Sequence, residues 1–255
     1  MGKGKIKVRE PAFAGSFYPA TQKAILAFFR QVEEEIAGEE FPAPDKNTQP
    51  AGLIVPHAGW VYSGKTAYVT HRLLKRVNPE KIALLGPSHR SFFHTAYRDM
   101  SSHWASPLGN TPLIHDSRFL EHPFVHQAEH ALEVQLPFIQ HFSPQSRLLP
   151  LVVGEISDMQ AQEFASFLEG YFLIISTDLS HYHPLDEARR IDTHTIRQIE
   201  NLDPGDVNAC GIHPLQVAFA FMRQRGLKPR LIDYSTSAEA SGDASAVVGY
   251  AGFWF

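Results

Sequence analysis

The sequence predicts an α/β fold: one domain with a central mixed sheet flanked by helices. Three observations lead there. Short runs of Leu, Ile and Val recur between stretches whose apolar residues follow helical spacing. The runs are apolar throughout, as in strands covered on both faces. The 255 residues, 44% apolar and 20% charged, have the composition of a globular protein with a sizeable core.

The elements follow in order. Arg9–Pro19 is an extended entry. Gln22–Ala37 has helical periodicity through Ile25, Leu26, Phe28, Phe29, Val32 and Ile36, with Glu33, Glu34 and Glu35 as a solvated face. Phe41–Pro50 carries three prolines and reads as a loop, too short to mark a domain boundary. Leu53–Val55 is a buried strand, Thr66–Val77 a helix and Lys81–Leu85 the next strand. Ser88–Phe124, rich in His, Ser and Pro, is a long excursion with some strand. His126–Phe142 is expected as a helix, Leu148–Val153 as a strand, Asp158–Glu169 as a helix and Tyr171–Ile175 as a strand. Asp186–Asn201 and Pro214–Arg225 are helices, and Arg230–Tyr234 and Ala246–Phe253 close the chain as strands. No repeat or low-complexity segment interrupts this order.

Composition narrows the function classes. Twenty-seven acidic against 23 basic residues leave a net charge of −4, without the basic excess of a nucleic-acid binder. No apolar stretch approaches the ~20 residues of a membrane-spanning helix. Lysines at positions 3, 5 and 7 have no apolar run behind them, so no secretory leader is read, and Ile6 stands where a myristoylation signal needs Ser or Thr. A single cysteine forms no internal disulfide. Together these features point to the cytoplasm, with no nucleic-acid or membrane partner.

Fourteen histidines accompany that one cysteine. Three strands run into similar ends: Leu53–Val55 into Pro56-His57, Ala83–Leu85 into Gly86-Pro87-Ser88-His89, and Leu173–Ile175 into Ser176-Thr177-Asp178-Leu179-Ser180-His181. Ligands of open α/β sheets bind beyond the carboxyl ends of the strands. If the three strands are parallel neighbours, His57, His89, Asp178 and His181 share one crevice. Asp178 and His181, three apart, would share a face of a helical turn as an acid/base or ligand-orienting pair; Asp178 as a simple turn cap is the alternative. Cys210 lies ahead of Pro214, a natural first helical residue, where a helix N-terminus favours a thiolate; a small buried hydrophobe is the other reading. His130 and Glu133 are expected on one helix face as an outer pair, or as a surface ion pair. Gly59–Thr66 matches the phosphate-loop pattern G-x-x-x-x-G-K-[ST]. Trp60, Val61 and Tyr62 are too bulky for a nest of backbone N–H groups, so no nucleotide site is assigned.

These blocks resemble the Memo family, called system protein B of the AmmeMemoRadiSam group in prokaryotes. The resemblance rests on Arg9–Pro19, Pro56–Trp60 with Tyr62-Ser63-Gly64, Gly86–His89, and Glu129-His130 with Glu133 and Leu136-Pro137. It continues through Ser176–Asp178 with His181, Cys210-Gly211 with His213-Pro214, Tyr234–Ser237, Ser241–Asp243 and Val247–Ala251. It implies a fold similar to class III extradiol dioxygenases, which use ferrous iron. His57 and His89 then fall on the metal-binding histidines, Cys210 on a cysteine of the same pocket, and Asp178 and His181 on its polar lining. Those dioxygenases complete their iron site with a carboxylate; a sulfur in that place turns preference toward copper(I) or zinc and argues against ring cleavage. The resemblance thus implies a metal-binding, redox-active protein holding iron or copper through His57, His89 and Cys210, with Asp178, His181 and Cys210 as the chemically active groups. A non-catalytic peptide- or protein-binding module in the same crevice and a zinc hydrolase are the alternatives; a peptide or small molecule is the expected ligand, and a radical-SAM protein of the same system the expected partner.

Overall fold

The computed structural model describes residues 7–255. In chain order the strands and helices are β1 (Val8–Arg9), α1 (Gln22–Glu35), β2 (Gly52–Val55), α2 (Trp60–His71), α3 (Leu74–Val77), β3 (Lys81–Pro87), β4 (Ala96–Arg98), β5 (His103–Ser106), β6 (Gly109–Pro112) and β7 (Leu120–Glu121). There follow α4 (Leu136–Phe142), β8 (Arg147–Val153), α5 (Asp158–Phe167), β9 (Phe172–Ser176), β10 (His181–His183), α6 (Leu185–Asn201), α7 (Ile212–Arg225), β11 (Arg230–Thr236), α8 (Ala238–Ser241) and β12 (Val247–Trp254).

Nine strands form the main sheet, in the order β10-β12-β2-β9-β3-β8-β4-β7, with β11 on β12. Its centre is parallel: β2 pairs with β9, β9 with β3, and β3 with β8. β12 joins β2 antiparallel and β4 joins β8 antiparallel, so the sheet is mixed. A smaller sheet, β1-β5-β6, adjoins it through the bridge between Leu113 and Leu148 of β8.

Side chains alternate across the sheet, and the two faces build two cores. Leu53, Val55, Ile82, Leu84 and Ile174 pack with Ile25, Phe29, Trp60, Tyr68 and Phe138 of α1, α2 and α4. Ile54, Ala83, Leu85, Leu173 and Ile175 pack with Phe164 of α5, Ile199 of α6 and Phe219 of α7 on the other face. Helices therefore cover both faces, as the apolar runs predict. No helix among the described residues is long and apolar enough to cross a membrane.

Two expected elements differ, and two short ones, β10 and α8, add to the expected set. The helix expected over Thr66–Val77 begins at Trp60 and breaks after His71, resuming as the short α3. Gly64, which reads as a loop residue, is inside the helix because Phe28 packs on it; a Cβ there would come within 2.5 Å of that ring. Of His126–Phe142 only Leu136–Phe142 is α-helical, after a single 3₁₀ turn at Glu133–Gln135. Pro137 sits in the first turn of α4, where its missing N–H and fixed φ are tolerated; deeper in a helix it would break it. A short strand, β10, follows Ser180 where only a loop was read.

The last residue of α2, His71, illustrates what the core imposes on histidine. It is fully buried, stacks on Phe138 at 5.0 Å, and its Nδ1 lies 2.8 Å from the carbonyl of Ala67. Burial lowers its pKa from 6.5 to about 4. The unfolded chain therefore takes up this proton first as pH falls, and stability is lost from about pH 6.5 down toward 4. Between pH 7 and pH 5 the loss from this residue is about 2 kcal/mol. Urea midpoints at the two pH values should show it, and His71→Leu should shrink the difference by that amount; an unchanged difference contradicts the assignment.

Candidate metal centre

Three adjacent parallel strands deliver the site. β2 ends at Val55 and leads through Pro56 to His57; β9 ends at Ser176 and leads to Asp178; β3 ends at Pro87 and leads to His89. β9 lies between the other two, with Val55 opposite Ser176 and Leu85 opposite Ile175. The carboxyl ends are thus in step, and the rings of His57 and His89 meet at 5.2 Å. A third ring joins them from the loop before α4: His130 lies 5.5 Å from His57 and 4.8 Å from His89. One ring nitrogen of each of the three falls within 4.8 Å of the others, so His57, His89 and His130 could together hold a metal ion.

The ring of His57 is locked in one tautomer. The Ser176 hydroxyl donates its single hydrogen to the carbonyl of Ala131 at 2.7 Å and accepts one from Gln135 Nε2 at 3.0 Å. The same amide donates to the carbonyl of Pro56 at 2.8 Å, which fixes its orientation. The remaining lone pair of Ser176 faces His57 Nδ1 at 2.9 Å, so Nδ1 carries the hydrogen and Nε2 a lone pair. Burial, with the neighbouring His89 as second cause, holds the His57 pKa down at about 3. Burial and His57 likewise hold His130 at about 4. Both rings are therefore neutral at pH 7, the form that binds a metal.

His89 is oriented by Glu129, a residue to which sequence reasoning gave no role. One Glu129 oxygen accepts from His89 Nδ1 at 2.9 Å and from the N–H of Ala131 at 2.9 Å; the other accepts from the N–H of His89 at 2.8 Å. Burial alone would raise this carboxyl, but those hydrogen bonds and the His89 charge outweigh it and hold it near 2. A carboxylate on Nδ1 leaves Nε2 of His89 free, the usual support of a metal-binding histidine. The signal in the sequence was the Glu directly preceding His130.

Asp178 and Cys210 border the same ring of His57. An oxygen of Asp178 accepts from the His57 N–H at 2.7 Å, and the other is 3.9 Å from His57 Nε2. Cys210 Sγ is 3.2 Å from that nitrogen and accepts from the N–H of Asp178 at 3.2 Å. Gly211 permits this approach: its N–H donates to Thr177 at 2.9 Å, and a Cβ would come within 2.6 Å of the Thr177 side chain. Cys210 is not in the three-histidine group.

Several expectations change here. Cys210 precedes the N-terminus of α7, which begins at Ile212 rather than Pro214, yet its thiol is not acidified. Burial, then the Asp178 carboxylate, push it up to about 12. Asp178 and His181 do not share a helical turn; His181 opens β10, while Asp178 lies in the preceding loop with its own pKa raised to about 6 by burial. His130 and Glu133 do not share a helix face, because residues 129–132 are non-helical. His130 stands in the ring cluster itself, and Glu133 turns away to accept from Arg9 at 2.7 Å, Phe13 N–H at 2.8 Å and Tyr18 at 3.0 Å. The look-alike phosphate loop is helix from Trp60 onward, with Lys65 paired to Glu39 at 3.2 Å.

This is an α/β protein whose sheet gathers a three-histidine cluster at its carboxyl edge. A family profile described as Memo-like protein matches residues 9–254, and the chain belongs to that family. It is 33% identical to a MEMO1 family protein of Aquifex aeolicus, over 98% of this chain and all of that protein. A MEMO1 family protein of Archaeoglobus fulgidus is 32% identical over 97% of this chain and 99% of its own length. One from Thermoplasma volcanium is 31% identical over 95% and 96%.

The tautomer of His57 is directly measurable. Long-range ¹H–¹⁵N spectra of the metal-free protein should show a protonated Nδ1, unchanged between pH 8 and pH 5. Ser176→Ala should release that preference. Titration of wild-type His57 near pH 6.5 contradicts the assignment.

Proposed function

We propose that this Memo-like protein binds one iron or copper ion through His57, His89 and His130, with Cys210 as a soft fourth donor, and that the centre is redox-active. The supporting observation is the cluster itself: three imidazoles from three separate segments converge, and the two best buried of them, His57 and His130, are kept uncharged. Burial and the positive charge of a neighbouring ring, not any lack of basicity, keep His57 and His130 unprotonated, so their lone pairs stay available to a metal ion. His57 offers Nε2 because Ser176 occupies Nδ1, and His89 offers Nε2 because Glu129 occupies Nδ1.

The donor set bears on metal choice. Imidazole nitrogens suit iron, copper and zinc alike, whereas sulfur selects copper(I) or zinc. In the metal-free protein the Cys210 thiol donates to His57 Nε2, the same lone pair an ion would take. With that lone pair given to an ion, Cys210, on losing its proton, would be placed to serve as the soft fourth donor. When bound, iron or copper supplies a one-electron couple and open positions for a small ligand. Asp178, with its pKa near 6, is the group that can hold or yield a proton beside His57. His181 lies across the same loop as a further polar group.

Anaerobic metal analysis and chelator competition test this on tag-free protein. Wild type should bind one ion per chain, and His57→Ala and His130→Ala should each abolish tight binding. Glu129→Gln should weaken binding about 10–100-fold through loss of His89 orientation. Cys210→Ser should weaken copper(I) by at least about tenfold and leave iron(II) nearly unchanged. Full stoichiometric binding by a folded His57→Ala, His130→Ala double variant rejects the centre; equal effects of Cys210→Ser on both metals remove sulfur from the ligand set.

A further inference from the structure

A second cavity, of about 890 Å³, opens between α1, the loop Gly15–Thr21, the start of α2 and the turn after β11. It shares only Phe17 with the metal centre, whose ring lies 4.3 Å from His130. Pockets for small organic molecules run from roughly 300 to 1,000 Å³. Phe28, Trp60, Tyr18 and Phe17 supply aromatic walls, with Phe28 and Trp60 at 5.0 Å and Tyr18 and Trp60 at 5.6 Å. At the mouth, Val61 is 71% and Tyr62 45% exposed.

The charges at this cavity choose between ligand classes. Its walls include Gly59–Tyr62 and Lys65 of the look-alike phosphate motif, and the lysine would suggest an anion. The one cation among the described lining residues has its charge paired by a carboxylate, and the neighbouring threonine is engaged elsewhere. The Lys65 ammonium is 3.2 Å from Glu39, and the Thr66 hydroxyl donates to Asp233 at 2.6 Å. Two carboxylates line the cavity instead. Glu35, at the end of α1, accepts one hydrogen bond from Gln31 at 2.8 Å, and Glu239 accepts one from the Thr236 N–H at 3.0 Å. Among the described residues, no second hydrogen bond or ion pair reaches either carboxylate. Of the acidic run Glu33-Glu34-Glu35, Glu33 is used by Tyr68 at 2.7 Å, while Glu35 reaches the cavity. Aromatic faces beside unneutralised carboxylates attract a weakly hydrated cation with an apolar body.

We propose that this cavity is a binding site for a small organic cation, a substituted ammonium carried on an apolar or aromatic body. The ammonium lies toward Glu35 and Glu239, and the apolar body against Trp60 and Phe28. The site is separate from the metal centre and does not depend on metal being bound.

Three probes of one shape and different charge test it: benzyltrimethylammonium, benzyl alcohol and benzenesulfonate. Each is titrated into the full chain and followed by amide and indole ¹H–¹⁵N shifts. The cation should bind saturably, with shifts at Trp60 and Phe28, about tenfold tighter than the alcohol, and the sulfonate should not bind. Glu35→Gln with Glu239→Gln should remove the cation's advantage and leave the alcohol unchanged. Ala24→Trp, which places an indole in the cavity from an exposed helix position, should block both ligands while the melting temperature and metal binding stay at wild-type values. Tighter binding of the sulfonate, cation shifts mapping elsewhere, or an undiminished preference for the cation in the double carboxamide variant overturns the proposal.

Discussion

The register of β2, β9 and β3 is the constraint on which the crevice depends. Backbone hydrogen bonds hold these strands in parallel, with Val55 opposite Ser176 and Leu85 opposite Ile175. A parallel ladder cannot slip by one residue without turning every core side chain to the opposite face. Here Val55 faces one core and Ile54 the other, so a slip would drive each into the packing built for its neighbour. The distance from His57 to His89 and to Asp178 is thus set by the packing of two apolar cores far larger than the site. β9 also contributes Ser176, whose hydroxyl joins the loop before α4 to the ring of His57. The strand that separates the two histidine loops is the one that orients them.

Burial then sorts the titratable groups into two kinds. His57 and His130 lose the charged form because too little in the pocket compensates it. Glu129 keeps its charge because three hydrogen bonds outweigh the cost of desolvation. Asp178 falls between: it is buried, accepts from the His57 N–H, and is raised to about 6. The neutral rings of His57 and His130 thus stand beside His89, which the fixed Glu129 carboxylate orients, and the three could together hold a cation. Cys210 follows the same rule. Its place ahead of α7 argued for a thiolate, but the field of one helix end is smaller than the cost of burying a charge beside Asp178.

The fold was legible because strands buried on both faces leave short, wholly apolar runs, and these do not depend on distant contacts. The convergence of His57, His89 and Asp178 was legible for the same reason, since each follows such a run. What escaped was set by partners remote in sequence. Gly64 reads as a loop residue until Phe28 is seen packed against it. The stretch from His126 reads as helix by its apolar spacing, yet Glu129 spends its carboxylate on the backbone of His89 and Ala131, which a continuous helix would not allow. That stretch carried the third histidine, so its misreading also hid the ring cluster and gave His130 and Glu133 a shared role they do not have.

Glu133 shows what that separation accomplishes. It is completely buried, and its oxygens gather Arg9, the N–H groups of Ala12 and Phe13, and the Tyr18 hydroxyl. Arg9 also donates twice to the carbonyl of His126, at 3.1 and 2.8 Å, and lies over Trp104. Removing one partner of such a pair strands a buried charge, at a cost of about 3–5 kcal/mol. The segment so anchored carries Phe13 and Phe17, whose rings lie 5.8 and 4.3 Å from His130. His130 is therefore held by its own loop on one side and by the start of the chain on the other. Since that loop lacks regular helix, its backbone alone cannot fix the ring; the aromatic wall supplied through Glu133 does so. The first strand and the third histidine thus form one unit, although more than a hundred residues separate them.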